Sequence, residues 1–221
     1  MKLLEGDQNM FIVRRTRTFV EGFLASYGSS SIKKMLWDRD FSGDKWNFID
    51  NTVGDCVYPY LEKYAQKGNI LDLGCGPGNT ANELADSVYR SYIGVDISEV
   101  ALAKAMKRTQ ENGRAAKNTF IRSDFLGYAP TLEFDIILFR ESMYHVPYGK
   151  VLEILEKYSK YLNSRGVFIV RLYAGDHAGK IKYRPMRKIN LIRRNFDILE
   201  SAQYDTPALP NVLVFRPRQR S

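Results

Sequence analysis

The spacing of apolar residues changes character near residue 66. Before it, apolar positions recur at helical intervals: Phe11, Ile12, Val13, Phe19, Val20, Phe23, Leu24 and Tyr27, then Ile32, Met35, Leu36 and Trp37, then Trp46, Phe48, Ile49, Tyr58, Leu61 and Tyr64. This pattern predicts helices and no strand, with Asp38–Asp44 as a loop between the second and third helices. After residue 66, short β-branched runs alternate with helical patterns. Strands are predicted at 69–74, 91–96, 119–121, 134–139 and 167–173, and helices at 80–88, from Ser98 to Asn112-Gly113, and at 149–162. A basic helix near 184–193 follows, and then two runs, 196–201 and 211–215, joined by Thr206-Pro207-Ala208-Leu209-Pro210 as a hairpin. Alternating strands and helices predict a mainly parallel sheet.

The richest stretch is Asn69-Ile70-Leu71-Asp72-Leu73-Gly74-Cys75-Gly76-Pro77-Gly78-Asn79-Thr80. An apolar strand carrying one acid runs into a three-glycine turn, then polar Asn79 and Thr80. Thr80 with Glu83 reads as a capping box. Helix N-termini favour anionic groups, and glycines let a ligand lie on the main chain. The glycines fall at 74, 76 and 78 with Asn at 79, so the spacing is not the G-x-G-x-x-G of dinucleotide sites. Asp72 would repel a pyrophosphate and suits an ammonium. S-adenosylmethionine carries an ammonium, a sulfonium and a carboxylate, and matches both features. The turn's main chain, the Cys75 N–H included, matters more than the Cys75 thiol.

Eighteen residues after Gly78, the run Tyr92-Ile93-Gly94-Val95-Asp96-Ile97-Ser98 ends a second strand in an acid. In a βαβ unit that strand end lies beside the first, so Asp96 is placed to receive two ribose hydroxyls. Its alternative role is to cap the next helix, which Ser98 can also do.

These residues resemble the class I S-adenosylmethionine-dependent methyltransferases of the small-molecule type. Ile70–Gly78 resembles the first motif, Val95-Asp96-Ile97-Ser98 the second, Ser123-Asp124-Phe125 the third, near the adenine, and Phe134–Leu138 the fourth strand. The likeness covers roughly residues 60 to 221. It implies a Rossmann-like α/β fold: a seven-stranded, mostly parallel sheet with helices on both faces and a terminal antiparallel hairpin. Residues 1–66 are expected to be an N-terminal helical lid and 67–221 the cofactor-binding core. The implied cofactor is S-adenosyl-L-methionine, leaving as S-adenosyl-L-homocysteine. Its expected contacts are Asp72, Gly74, Cys75, Gly76, Gly78, Asn79, Asp96, Ile97, Ser123, Asp124, Phe125 and Arg140.

The acceptor side is expected just after the fourth strand, in Arg140-Glu141-Ser142-Met143-Tyr144-His145. Methyl transfer needs an acceptor in line with the sulfur–methyl bond, and a base where the acceptor is protonated. His145 reads either as that base or as a packing residue that caps the turn. Glu141 reads as a pocket residue that orients His145 or binds a cationic acceptor, and Tyr144 as a hydrogen-bond partner of the acceptor. Arg140 contacts the cofactor or pairs with Glu141. His177 is a weaker candidate in a loop. Trp37 and Trp46 read equally as pocket walls or packing residues. There is no Asn/Asp-Pro-Pro-Tyr/Phe after strand four and no Pro-Cys pair, which argues against methylation of nucleic-acid bases. A small-molecule oxygen or nitrogen acceptor fits best.

The net charge of +8 modifies this picture only slightly. From Asp176 onward ten Lys/Arg face four Asp/Glu, so most of the excess lies at the C-terminal end. An RNA substrate is the second reading of that charge; a solvated basic face is the preferred one. A non-catalytic binding subunit is the third reading. Two isolated cysteines and the lack of an apolar leader suggest a reducing, cytoplasmic setting. No apolar run reaches membrane-spanning length, and no metal site is expected. A monomer or a homodimer is expected.

Overall fold

The computed structural model describes residues 20–21, 23–43, 52–173, 185–202 and 210–218. Trp46, His177, Lys180, Lys182, Arg184, the hairpin link 206–209 and the apolar positions before Val20 lie outside the described residues.

Among the described residues the helices with defined bounds are α1 (Ser30–Ser42), α2 (Tyr58–Ala65), α3 (Asn79–Glu83), α4 (Glu99–Glu111), α5 (Val151–Ser159) and α6 (Pro185–Asn195). The strands are β1 (Asn69–Leu73), β2 (Ser91–Asp96), β3 (Asn118–Arg122), β4 (Phe134–Arg140), β5 (Leu162–Tyr173), β6 (Asp197–Ala202) and β7 (Pro210–Arg216). They form one seven-stranded sheet in the order β3-β2-β1-β4-β5-β7-β6. The first five strands in that order are parallel, and β7 pairs antiparallel with both β5 and β6. The expected fold, terminal hairpin included, is the observed one. The strand order reverses between β1 and β4, which opens a crevice at their carboxyl ends, where ligands of open α/β sheets bind.

Strict alternation along the strands sorts the core into two layers. Leu71, Leu73, Ile137, Phe139, Phe168 and Val170 face α5 and α6. Ile70, Ile136, Leu138, Val167 and Ile169 face α2, with its Tyr58, Leu61 and Ala65. The same alternation puts Asp72, Arg140 and Arg171 on the α2 side of the sheet. Within the described part of the first 66 residues, α1 crosses the strand ends and α2 covers the sheet itself.

Four local expectations are corrected. The Asp38–Asp44 loop is largely the last turn of α1, which runs to Ser42 because Lys34 and Ser98 engage Asp38 at 2.6 and 2.7 Å. The Thr80–Glu83 capping box does not form. Gly78 is the N-cap of α3 at φ +74, without a capping side chain, and Glu83 instead accepts from Thr52 Oγ1 and Tyr58 Oη at 2.7 and 2.8 Å. The helix predicted at 80–88 stops at Glu83, and Asp86–Val88 forms a separate 3-10 turn. Strand β5 starts at Leu162 rather than Val167, because Asn163 bonds Asp135 on β4 and pairing begins before Gly166. The Ser98 cap is as read: its hydroxyl accepts from Ala101 N at 3.1 Å.

Gly78 is needed twice over. Its backbone is left-handed, and a Cβ there would stand 2.7 Å from the Ala105 Cβ of α4. Gly78→Ala should lower stability by about 2 kcal/mol in urea unfolding, from strain plus overpacking. Pairing it with Ala105→Gly should recover part of that loss; no recovery would contradict the packing account.

Candidate active site

The glycine turn is zipped to the end of β2. Gly74 N and Cys75 N donate to the Val95 carbonyl at 2.7 and 3.1 Å, and Gly76 N donates to Asp96 Oδ2 at 2.9 Å. The Cys75 N–H is thus bound within the protein. The Cys75 thiol is buried, and burial pushes its pKa up. Gly74 has φ +84, and a Cβ there would strike the Ser142 Cβ at 2.4 Å, so β1 and the turn after β4 touch through it. Asp96 Oδ1 accepts from Ser98 N at 2.9 Å, and burial raises the carboxyl pKa against these N–H donors. Each carboxylate oxygen keeps a further lone pair.

Asp72 is 1% exposed. Its Oδ2 accepts from Tyr92 Oη at 2.6 Å, and its Oδ1 has no hydrogen-bond partner. Burial lifts its pKa to about 6, opposed by the Tyr92 hydroxyl and by Arg140. Ser142 Oγ, against Gly74, is a second buried polar atom without a partner. Asn79 is hydrogen-bonded within the protein: Arg108 donates to its Oδ1 at 2.7 Å, and its Nδ2 donates to Thr52 Oγ1 at 3.2 Å.

Two neighbouring guanidiniums lie side by side at the ends of β4 and β5, where Arg140 and Arg171 are register partners. Asp55, just before α2, joins them. Arg140 Nη2 and Arg171 Nη2 each donate to Asp55 Oδ2 at 2.8 Å, and Arg171 Nε donates to Oδ1 at 3.3 Å. Burial alone would raise the Asp55 pKa; the two guanidiniums outweigh it and hold the carboxyl below its usual value. Arg140 also donates to Tyr58 Oη and Thr80 Oγ1 at 3.2 and 3.3 Å. Its carboxylate partner is Asp55. Glu141 pairs instead with Arg171, at 2.5 Å.

Glu141 has φ +58, an unusual conformation for a non-glycine residue and a marker of local constraint. Burial raises its pKa, and Arg171 opposes the rise. The next turn carries Tyr144 and His145. Tyr144 Oη donates to the Tyr173 carbonyl at 2.7 Å, and burial pushes its pKa up, so it stays a phenol at neutral pH. The His145 ring meets the Trp37 indole edge-on at 4.8 Å.

Helix α1 lies across these elements. Trp37 touches the His145 turn, Asp38 reaches Ser98 after β2, and Lys33 donates to Asp124 after β3 at 2.9 Å. Phe41 is the nearest contact to a Cβ built at Gly76, at 3.7 Å. Ser123 N donates to the Asp96 carbonyl at 2.9 Å, and Phe125 packs edge-on against Phe139. Ile97, Ser123, Asp124 and Phe125 thus stand at the ends of β2 and β3, beside Asp96.

Sequence reasoning missed Asp55, Arg171 and Lys188. Arg171 had a signal, a lone cation inside the apolar run 167–173. Asp55 had none, because its two arginine partners are more than eighty residues away. Among the described residues no cluster of His, Cys, Asp and Glu could hold a metal ion. No helix among them is long and apolar enough to cross a membrane.

The strand reversal, the glycine turn and the acids behind it define an open α/β protein with a crevice at the carboxyl ends of β1, β2 and β4. The chain belongs to the methyltransferase domain family, whose model matches residues 65–199. It is 33% identical over 78 residues to the ubiquinone biosynthesis O-methyltransferase of Thiobacillus denitrificans, covering 35% of this chain and 33% of that one. It is 39% identical over 70 residues to thiocyanate methyltransferase 1 of Brassica oleracea, covering 32% and 30%. The chain thus spans about a third of the length of these relatives. Its fold is similar to that of the N-methyltransferase NodS of Bradyrhizobium japonicum bound to S-adenosylhomocysteine. The TM-score is 0.64 at 18% identity, over 84% of this chain and 98% of that one. The DhpI complex with S-adenosylhomocysteine matches with TM-score 0.66 at 16% identity, over 88% and 100%.

Asp55→Asn leaves two buried guanidiniums short of a counter-charge. It should cost about 3 kcal/mol in urea unfolding at neutral pH. A loss below about 0.5 kcal/mol, the scale of an ordinary surface substitution, would remove the network from the account.

Proposed function

We propose that the protein transfers a methyl group from S-adenosylmethionine to an oxygen or nitrogen of a small-molecule acceptor. The observation that carries this reading is Asp96, held by two backbone N–H groups at the end of β2 with lone pairs to spare for a ribose diol. Asp72 Oδ1, buried and without a partner behind the glycine turn, supports the same ligand, because an ammonium would satisfy it. The cofactor, once bound, supplies an electrophilic methyl group on a cationic sulfur. The chain does the rest. Asp96 holds the ribose, Asp72 attracts the ammonium, and the loop after β3 borders the adenine. Trp37 and Phe41 of α1 cover the crevice and exclude water.

On the acceptor side, Glu141 is a pocket carboxylate fixed by Arg171. Its constrained backbone and raised pKa fit a group kept for recognition or proton uptake. His145 is the candidate general base, seated against Trp37. Tyr144, whose hydroxyl is spent on the Tyr173 carbonyl, shapes the wall. Relatives named for ubiquinone biosynthesis, for sterols and for thiocyanate leave the acceptor atom open. The RNA reading loses weight: of the basic residues behind it, Lys188 is buried and Arg187 stacks on Tyr148. A screen of small alcohols, phenols and amines with isotope-labelled S-adenosylmethionine tests the reading; labelled RNA with no labelled small molecule would overturn the acceptor class.

Asp96→Ala should weaken S-adenosylhomocysteine binding by about 10-fold or more, the scale of a lost charge-assisted hydrogen-bond pair. Near-parental affinity in calorimetry would remove the ribose assignment. Asp72 also predicts a pH dependence. An ammonium ligand favours the ionised carboxyl, whose pKa burial has raised to about 6. Affinity should therefore rise between about pH 5 and 7 and level off above. Asp72→Asn should flatten that rise; an equally steep profile in the variant would assign it elsewhere.

A further inference from the structure

Lys188 belongs by sequence to the basic C-terminal excess, yet it is 4% exposed. It shares the inward face of α6 with Ile189 and Ile192. Among the described residues no carboxylate pairs with it. Its ammonium donates to three main-chain carbonyls instead: Met143 O at 2.8 Å, Tyr144 O at 2.7 Å and Val146 O at 2.7 Å. Three donors meet three acceptors, so the cation's hydrogen-bonding capacity is filled by one short turn. Burial still pulls its pKa down, to about 8. An apolar residue would join α6 to the sheet without that desolvation cost. The cation is explained by what it grips.

The gripped turn is the one that carries Tyr144 and His145. Two backbone bonds brace it locally, from His145 N to Ser142 O at 3.0 Å and from Val146 N to Met143 O at 3.2 Å. We propose that Lys188 is a positioning residue for the acceptor side of the site: from α6 it clamps the Met143–Val146 turn and so sets where His145 stands against Trp37. This rests on the methyltransferase reading of the crevice. It adds a helix, α6, whose docking controls the acceptor wall without touching the cofactor half. Loosening such a support by about 1 Å is enough to spoil a site.

The test uses the full chain with Trp46→Phe, which leaves Trp37 as the sole indole. Lys188→Met keeps the stem and removes all three donors. Acrylamide quenching of Trp37 should rise severalfold, approaching the value of His145→Ala, where the ring contact is gone. S-adenosylhomocysteine affinity by calorimetry should stay within about threefold of the parent. Lys188→Cys with Cys56→Ser and Cys75→Ala, alkylated in denaturant with 2-bromoethylamine and refolded, should restore the quenching of the parent carrying the same two cysteine substitutions. The same cysteine carrying a neutral propyl group should not. A lowered melting temperature with unchanged Trp37 quenching would overturn the proposal, as would equal rescue by the propyl group. If Lys188→Met does not fold, the two alkylated proteins decide. Absence of S-adenosylhomocysteine binding by the parent protein would count against the methyltransferase reading and leave the clamp to be judged on Trp37.

Discussion

The carboxyl edge of this sheet depends on burying two arginines against one aspartate. Alternation along β4 and β5 forces Arg140 and Arg171 onto the face covered by α2, in register and side by side. Two adjacent guanidiniums there would repel each other and carry a heavy desolvation cost. Asp55 resolves both problems because it sits immediately ahead of α2, at 2.8 Å from each cation. The helix that covers the sheet is thereby pinned at the height of the strand ends. Arg171 then has a hand free for Glu141, which leaves β4 in a left-handed conformation instead of continuing the strand. The departure of the chain from β4, and with it the Tyr144–His145 turn, starts from that constraint.

The crevice has two halves with different supports. The half proposed for the cofactor is made by β1 and β2, and it is held by main chain: the glycine turn bonds to Val95 and Asp96, and only glycine at 74 lets Ser142 approach. The half proposed for the acceptor is made by the turn after β4, and it is held by side chains from distant elements, Arg171 of β5 and Lys188 of α6. Helix α1 bridges the halves, touching the loops after β2, β3 and β4. A main-chain half suits a ligand common to a family, and a side-chain half can vary with the acceptor. The relatives named for different acceptors share stretches of a third of this chain with it.

What was legible in the sequence follows the same division. The strands, the glycine turn, Asp96 and the Ser98 cap are local: period-two burial and cap chemistry act over a few residues, so the residues alone reveal them. Arg140 reads from the sequence as a contact of the cofactor or of Glu141, whereas its carboxylate partner is Asp55. Asp55 was invisible because a lone acid in a short turn carries no sign of a partner more than eighty residues on. Lys188 was misjudged because a lysine beside arginines reads as surface, and only the packing of Ile189 and Ile192 turns it inward. The capping box failed because Glu83 found stronger partners in Thr52, Tyr58 and Arg108. Residues 38–42 are helix rather than loop because Asp38 is held by Lys34 and by the Ser98 hydroxyl rather than by water.

The central claim is that one crevice seats a nucleoside sulfonium donor beside the Tyr144–His145 turn. The most direct measurement is a crystal structure of the protein with S-adenosylhomocysteine. The ribose diol should lie on Asp96 and the amino group next to Asp72 Oδ1. The sulfur should point toward the space bounded by Glu141, His145 and Trp37. A ligand seated away from Asp96, or with its sulfur turned from the β4 end, would contradict it.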